Sequence, residues 1–232
     1  MPYNFSLEEK KEKERLPIKR PQESRIKRKL RERTESSGRK PTKIIAFSDI
    51  HSNLEALDAV LHEIEKRDDV LRILCAGDIV GYCADPVKCC EKIMLLKIPV
   101  VQGNHDLNIN GENLGWFNDI ARRALEWTMS KLDQKCKNWL LTLPKIYEET
   151  ILGKKIYMVH GSPEDPIYQY VMPDTEISML RHYLNITKAD VLILGHTHIP
   201  FVKKISGKLV VNPGSVGQPR DGNPKASFAV ID

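Results

Sequence analysis

The sequence lacks the features that mark several large classes of protein. No apolar run approaches the roughly 20 residues that a membrane-spanning helix requires, and the N-terminal stretch has no apolar core of the kind found in a secretory signal. There are only five cysteines, with no CxxC pair and no zinc-finger spacing. We therefore expect reduced thiols in a cytoplasmic protein rather than a disulfide framework. With 232 residues, 41% hydrophobic and 29% charged, the chain is typical of one globular domain, with or without a tail.

Acidic residues are outnumbered by basic ones at the N-terminal end. Residues 1–41 carry 14 lysine and arginine side chains against seven glutamates, whereas residues 42–232 carry 22 basic against 24 acidic ones. We expect residues 1–41 to be a disordered tail or a solvated helix. Such a tail could contact nucleic acid, an acidic partner or anionic lipid weakly, or serve only as a solubilising extension. No aromatic residues are interleaved with its basic ones, which disfavours stacking on bases.

The hydrophobic pattern changes abruptly after residue 42. Three short apolar runs that end in polar residues alternate with two amphipathic segments, which predicts a βαβαβ unit with parallel strands. Ser52 or Asn53 can cap the first helix, and Pro86 suits the first turn of the second. The predicted strands are 43–49, 70–78 and 98–106, and the predicted helices are 52–67 and 85–97. The domain is expected to span 42–232, with a last sheet edge that the final SFAVID run leaves incomplete.

Polar side chains follow each predicted strand at the end where parallel strands place ligands. Two later strand-like runs also end in histidine, so that five of the seven histidines follow apolar runs. The eight candidate ligands at these ends are Asp49, His51, Asp78, Asn104, His105, His160, His196 and His198.

This set of side chains is typical of a metal centre. Imidazole suits zinc, manganese, iron, cobalt or nickel, and carboxylate and amide oxygens favour harder ions such as manganese and magnesium. Eight candidates are too many for one tetrahedral zinc ion, and no cysteine accompanies them. Two divalent ions that share a bridging carboxylate fit better, and such pairs serve the hydrolysis of phosphate esters.

Five short motifs resemble those of the calcineurin-like metallophosphoesterase superfamily. They stand in the family's order: DIH at 49–51, GD at 77–78, GNHD at 103–106, VHG at 159–161 and GHTH at 195–198. GDIVGYCADP, HGSPEDP and NPGSVGQPRDG further resemble a branch of small prokaryotic-type phosphodiesterases. The resemblance implies an α/β fold, namely an α+β four-layer sandwich of two packed mixed β-sheets flanked by helices. It also implies hydrolysis of a small phosphate ester or nucleotide by direct attack of water.

The resemblance implies a role for each site residue. Manganese is the expected metal, with iron, nickel, zinc, cobalt and magnesium as alternatives, and a hydroxide between two ions would attack phosphorus. His105 would protonate the leaving group, and Asp106 would orient its ring and raise its pKa. Arg220, Asn104 and His105 would bind substrate, although Arg220 could equally be a solvated loop residue. One ion would be held by Asp49, His51, Asp78 and His198, and the other by Asp78, Asn104, His160 and His196.

The sequence differs from other branches of the superfamily at positions that narrow the range of expected substrates. Serine/threonine protein phosphatases carry an aspartate and an arginine where this chain has Gly81 and Tyr82, and purple acid phosphatases carry a tyrosine ligand at the position of Gly81. A protein phosphatase or a nucleotide phosphohydrolase is the alternative to a phosphodiesterase. A non-catalytic scaffold of the same fold is a third reading, which the complete ligand set disfavours.

Aromatic side chains cluster between the GNHD and GHTH motifs. They could line a substrate pocket and stack on a base, or they could simply pack in the core. The residues concerned are Trp116, Phe117, Trp127, Tyr168 and Tyr170.

Overall fold

The computed structural model of the chain describes residues 25–38 and 40–232. None of the helices in these ranges combines the length and apolar character needed to cross a bilayer. The described strands are β1 Lys43–Phe47, β2 Val70–Cys75, β3 Ile146–Ile151, β4 Lys154–Val159, β5 Val191–Ile193, β6 Phe201–Ile205, β7 Lys208–Asn212 and β8 Ala229–Ile231. The described helices are α1 Arg25–Ser37, α2 Leu54–Glu65, α3 Pro86–Leu96, α4 Asn104–Leu107, α5 Asp119–Lys131, α6 Gln134–Leu141 and α7 Ile177–Thr187.

The strands form two mixed sheets. The first has the order β2-β1-β8, with β2 parallel and β8 antiparallel to β1. The second has the order β3-β4-β5-β7-β6, in which β4, β5 and β7 run parallel and the edge strands β3 and β6 run antiparallel to their neighbours. Two packed mixed sheets with helices on their outer faces confirm the predicted α/β four-layer architecture.

Side chains alternate along the strands and thereby separate three cores. On β1, Ile45 and Phe47 pack with α2 and α3, whereas Ile44 and Ala46 pack between the two sheets. On β4 the same alternation sends one set of side chains between the sheets and the other set toward α7. Each fully buried aliphatic side chain contributes about 1.5–3 kcal/mol, so the two sheets are held firmly together beneath the loops at their ends.

The predicted strand at 98–106 is wrong as a strand. It is reduced to one parallel bridge between Cys75 and Val100. The neighbouring Pro99 accepts a hydrogen bond from Cys75 N at 3.0 Å through its carbonyl, but it has no N–H with which to continue the ladder. The segment still delivers the GNHD motif to the end of the first sheet.

The other predicted elements of the βαβαβ unit are confirmed. Asn53 caps α2 by accepting from Ala56 N, and Pro86 occupies the first turn of α3. A hairpin with its turn at Ser206-Gly207 joins β6 to β7.

Part of the basic N-terminal segment is a packed helix. On α1, Ile26 and Leu30 lie one turn apart and are both buried against the first core. Lys29 forms an ion pair with Glu65 of α2. The composition was compatible with either a disordered tail or a solvated helix. Residues Arg25–Ser37 form a helix, and its apolar side chains Ile26 and Leu30 pack against the domain instead of facing solvent. The rest of the predicted tail, residues 1–24 and residue 39, lies outside the described residues.

Candidate metal centre

The loops that follow the strands bring the predicted site residues together at one end of the two sheets. The eight candidate ligands and Asp106 are all buried, although every one of them is polar or charged. Burying so many polar groups is costly unless they are paired or coordinate an ion. Arg220 is exposed, although its backbone N–H donates to His198 O at 3.2 Å.

Several of these residues have a left-handed backbone. Non-glycine residues with positive φ are uncommon and cluster at functional sites, where surrounding contacts hold the strained conformation. Here the loop backbone is fixed by Asp49 N donating to Gly77 O and His51 N donating to Asp78 O, at 2.9 and 3.0 Å. The positive φ angles of the candidate ligands are 56° at Asp49, 48° at His51, 52° at Asp78, 68° at His196 and 61° at His198.

Two histidines turn their Nε2 atoms toward each other. The Nδ1 atoms of His51 and His198 lie 3.1 and 2.7 Å from the carbonyl oxygens of Val80 and Gln218. Because a carbonyl can only accept, each Nδ1 carries a proton, and in the neutral ring each Nε2 keeps a lone pair. These two Nε2 atoms lie 3.0 Å apart. Asp49 Oδ1, which has no hydrogen-bond partner among the described residues, lies 3.3 Å from His198 Nε2.

A second group of acceptors converges around His160. Its Nδ1 donates to Ala76 O at 2.8 Å, so its Nε2 faces the site. That Nε2 lies 3.1 Å from Asn104 Oδ1 and 3.3 Å from Asp78 Oδ2. His196 has the opposite arrangement, because its Nε2 donates to Tyr168 O at 3.0 Å and leaves Nδ1 for the site.

Asp78 stands between the two groups. Its Oδ1 accepts from His105 N at 2.9 Å. Its Oδ2 has no hydrogen-bond partner among the described residues and lies 3.7 Å from His51 Nε2 and 3.3 Å from His160 Nε2. The structure thus contains two sets of three residues that could hold a metal ion, Asp49-His51-His198 and Asp78-His160-His196, and a third, His51-Asp78-His105, that links them.

The charges of the buried groups favour cations. Burial opposes ionisation of Asp49, but His198 and His160 outweigh it and lower the pKa of Asp49 to about 2. Burial likewise opposes ionisation of Asp78, whose pKa nevertheless falls well below its usual range beside His160 and His105. Against burial, Asp78 raises the pKa of His160 to about 9, because a proton on Nε2 satisfies the acceptors around it. Burial lowers the pKa of His196 to about 4 and that of His51 well below its usual value.

His105 lies beside these ligands in a tightly fitted niche. Its ring packs edge-on against Phe117, with centroids 5.0 Å apart, and tilted against Tyr82 at 4.8 Å. Gly81 lies under the ring with a φ of +100°, and a Cβ atom there would overlap His105 Nδ1. A Cβ atom on Gly103 would similarly overlap the carboxylate of Asp78. Both positions therefore require glycine.

The expected contact between Asp106 and the ring of His105 is replaced by another. Asp106 Oδ1 accepts from Ile79 N and Val80 N at 2.9 and 3.2 Å, and its Oδ2 accepts from Gly103 N at 3.2 Å. The expectation that Asp106 raises the pKa of His105 is also wrong, since burial lowers that pKa to about 4. Burial and the neighbouring Asp78 instead raise the pKa of Asp106 to about 7. Asp106 therefore ties the GNHD loop to the GD loop.

A cavity of about 490 Å³ opens over these residues, and we call it the site pocket. Arg220 is at this pocket, where its Nη2 donates to Gln218 Oε1 at 2.9 Å and to Tyr82 OH at 3.3 Å. Trp127 is not among the lining residues and has Lys131 Nζ 5.6 Å from its ring centroid. The lining residues are Asp78, Tyr82, Asn104, His105, Trp116, Phe117, Asn118, Ala121, Asp165, Tyr168, Gln169, Tyr170, His196, His198 and Arg220.

Three supporting residues were missed in the sequence. Tyr82 packs edge-on against His51, with centroids 4.8 Å apart, and its position four residues after Asp78 in the same loop was the available signal. Asn212 holds the GHTH loop by donating to Gly195 O at 2.7 Å. Asn108 donates to Asn104 O at 2.7 Å and so steadies the GNHD turn. Asn212 opens the NPGSVGQPRDG stretch, which was its available signal, whereas Asn108 stands in no pattern that marks such a role.

These observations define a buried centre of histidine and carboxylate side chains on an α/β sandwich, with a donor set that fits divalent metal ions. Four imidazole nitrogens and two carboxylate oxygens converge in it.

The comparison with known proteins agrees with this description. The family model of the calcineurin-like phosphoesterase superfamily domain matches residues 42–232, and the chain belongs to this superfamily.

An uncharacterised protein of Methanocaldococcus jannaschii is 41% identical over 206 residues, which are 82% of this chain and 82% of that protein. Phosphodiesterase YfcE of Escherichia coli is 26% identical over 203 residues, 82% of this chain and 87% of the enzyme. The crystal structure of a metallophosphoesterase from Sphaerobacter thermophilus has a TM-score of 0.68 at 34% identity and covers 82% of this chain and 83% of its own. The resemblance seen in the motifs is confirmed.

Proposed function

We propose that this chain hydrolyses phosphate esters, diesters foremost, with two divalent metal ions bound at the site. The proposal rests on three atoms that converge within a few ångströms of Asp78 and His160. They are His51 Nε2, His198 Nε2 and Asp49 Oδ1, the last of which has no hydrogen-bond partner among the described residues. Such an arrangement suits a cation, because buried carboxylate oxygens and the Nε2 lone pairs of neutral imidazoles converge there. The relationship to a phosphodiesterase supports the choice of reaction.

The two three-residue sets suggest how the ions would be divided. Asp49, His51 and His198 would hold one ion, and His160, His196 and Asn104 would hold the other. Asp78, whose Oδ2 lies between His51 and His160, would contact both. Manganese is the metal we expect first, because the set mixes imidazole with oxygen ligands. Bound ions of this kind supply Lewis-acid activation of water and offset the charge that develops on the phosphoryl oxygens.

The remaining site residues bind and orient the ester. Arg220 can donate two parallel hydrogen bonds to a non-bridging oxygen, and its contact with Tyr82 OH already places it at the site pocket. His105 would donate to the leaving oxygen. An anionic ester beside the ring would raise its pKa, as Asp78 does already, and so supply the proton that the departing alkoxide needs. Phe117 and Tyr82 hold the ring and exclude water around it.

The experiment is a metal-dependent assay on the purified full chain. The protein is stripped with a chelator, reloaded separately with manganese, nickel, magnesium or zinc, and assayed on bis-p-nitrophenyl phosphate. Nucleotides, cyclic dinucleotides and a phosphopeptide are compared in parallel. We expect hydrolysis to return with metal in the wild-type chain and in His182→Ala, which alters a surface histidine paired with Glu164. We expect little return in Asp49→Asn. Two bound ions without hydrolysis of any ester would contradict the proposal and favour a scaffold.

A further inference from the structure

One side of the site pocket exposes a large aromatic surface. Trp116 lies in a 3-10 turn at Leu114–Trp116, just before α5, and 81% of its surface is exposed. An indole left in water forgoes the hydrophobic stabilisation that burial would give it, and exposed apolar surface beside a pocket often marks a binding site. Its ring stacks on that of Tyr168, with centroids 5.9 Å apart and planes 29° apart.

Two of the aromatic residues contact the candidate metal ligands, Tyr170 directly and Tyr168 through Asn108. Tyr170 stacks on His196, with centroids 4.0 Å apart. The hydroxyl of Tyr168 accepts from Asn108 Nδ2 at 3.1 Å, and the same nitrogen donates to Asn104 O. A group that rests against these rings therefore lies next to a phosphate at the metal centre, in a position that the protein has already fixed.

The chemistry of this side of the pocket is aromatic and nearly uncharged. Asn118 and Gln169 line it together with the rings, and their side-chain oxygens accept from Ala121 N and from Ser162 Oγ. Their amide N–H groups are the donors that remain for a ligand. The one carboxylate, Asp165, accepts from Ile167 N and Tyr168 N through Oδ1 and so shapes its own loop.

Among the described residues, Arg220 is the only basic side chain apart from histidines that lines the pocket, and it lies by Tyr82. An aromatic surface with amide donors suits a neutral, planar group that has hydrogen-bonding edges. It does not suit an acidic peptide or a polyphosphate, which would require further basic residues.

We infer that the ester carries a nucleobase, which stacks on the exposed face of Trp116 while the phosphate lies at the metal centre. The substrate is then a nucleotide or a nucleotide diester, and Trp116 determines specificity. This inference rests on the proposed hydrolysis, and it adds that the enzyme distinguishes an ester that has a base from one that lacks it.

The test compares substrates that differ only in the base. The manganese-loaded full chain is assayed on AMP and ribose 5-phosphate and on the methyl esters of both, so that the ribose and the phosphate stay the same. The ratio of kcat/KM between the members of each pair is the readout. We expect the base to raise kcat/KM roughly 5- to 100-fold, the range that stacking on one aromatic side chain produces. Trp116→Ala should bring the ratio close to one, Trp116→Phe should retain part of it, and Trp127→Ala should leave it unchanged.

A ratio near one in the wild-type chain, or a ratio unaffected by Trp116→Ala, overturns the inference. If the loaded protein turns over none of these esters, the proposed hydrolysis fails, and calorimetric binding of AMP and ribose 5-phosphate decides the inference by itself. Tighter binding of AMP that Trp116→Ala abolishes supports a base-binding site, and equal binding of the two ligands contradicts it.

Discussion

Nε2 of His51 and Nε2 of His198 face each other at 3.0 Å, and in each neutral ring the only proton is on Nδ1. Both protons are committed to backbone carbonyls on the far sides of the rings. Two opposed lone pairs repel, and the nearby oxygen of Asp49 adds to the repulsion. A cation placed among the three atoms is attracted by all of them.

We therefore predict that metal ions stabilise the fold. Saturation at 100 times the dissociation constant stabilises a protein by about 2.7 kcal/mol, and the melting temperature should rise accordingly when manganese replaces a chelator. His51→Ala removes one of the facing nitrogens and should reduce this gain. The measurement is thermal unfolding of each variant with and without metal, which cancels the effect of the substitution on the metal-free protein. His182→Ala is the control, and an equal gain in His51→Ala would contradict the assignment.

The position of Asp78 between two sets of ligands predicts a graded loss of metal. We expect two ions per wild-type chain, one in His160→Ala, and fewer than one in Asp78→Ala, because that substitution removes an oxygen from both sets. Elemental analysis after desalting measures the content directly. A single ion in the wild-type protein, or two in Asp78→Ala, would show that the carboxylate is not shared.

Gly81 provides a test of the niche around His105. In Gly81→Ala the new Cβ would overlap the ring, and a displacement of about 1 Å in a reacting group can cost about 100-fold in rate. We expect a loss of that order in kcat with both metal ions retained. Gly207→Ala is the matched control, because Gly207 also has positive φ, at 80°, but an added Cβ there meets nothing within 4 Å. That variant should lose about 1 kcal/mol of stability and none of its activity. Similar losses of activity in both variants would assign the effect to backbone strain.

The sequence predicted which residues meet, but not how the backbone brings them together. Convergence followed from the rule that parallel strands end at one edge, which holds for Asp49 and Asp78 in the first sheet, whereas His160 follows β4 of the second sheet. The left-handed backbone of Asp49 and Asp78 could not be predicted, because it depends on hydrogen bonds between loops that are far apart in the chain. The partners of Asp106 depend on the same loops. Adjacency in the chain suggested His105 as its neighbour, whereas the fold presents three backbone N–H groups.

Two other differences between the predicted and the observed elements could have been recognised in the sequence. Pro99 interrupts the third apolar run, and a proline cannot donate to a ladder. Ile26 and Leu30 are spaced by one helical turn within the basic segment, which is the spacing of a buried helical face. Composition alone, dominated by lysine and arginine, concealed that stripe.

The packing of α1 leads to a prediction about stability. Leu30→Ala removes a side chain that is buried in the first core, and such substitutions cost about 2–5 kcal/mol. Glu32→Ala on the same helix alters only an exposed pair with Arg28 and should change stability by less than about 1 kcal/mol. Denaturant unfolding of the full chain measures both. Equal, small effects would show that α1 does not contribute to the domain, and that residues 42–232 fold independently of it.

The last prediction separates the roles of His105 and Asp106. If His105 donates to the leaving oxygen, His105→Ala should slow the hydrolysis of alkyl esters by about 100- to 10,000-fold and that of nitrophenyl esters far less, because nitrophenolate leaves without a proton. Metal content should be unchanged, since the backbone N–H that binds Asp78 remains.

Asp106→Asn should behave differently. Its carboxylate accepts three backbone N–H groups, and an amide would present a donor to at least one of them, at a cost of about 1–3 kcal/mol in stability. That loss should affect alkyl and nitrophenyl esters equally. The two variants are compared by the ratio of kcat on the two esters. A changed ratio in Asp106→Asn would return the aspartate to a role in proton transfer, and an unchanged ratio in His105→Ala would remove the histidine from it.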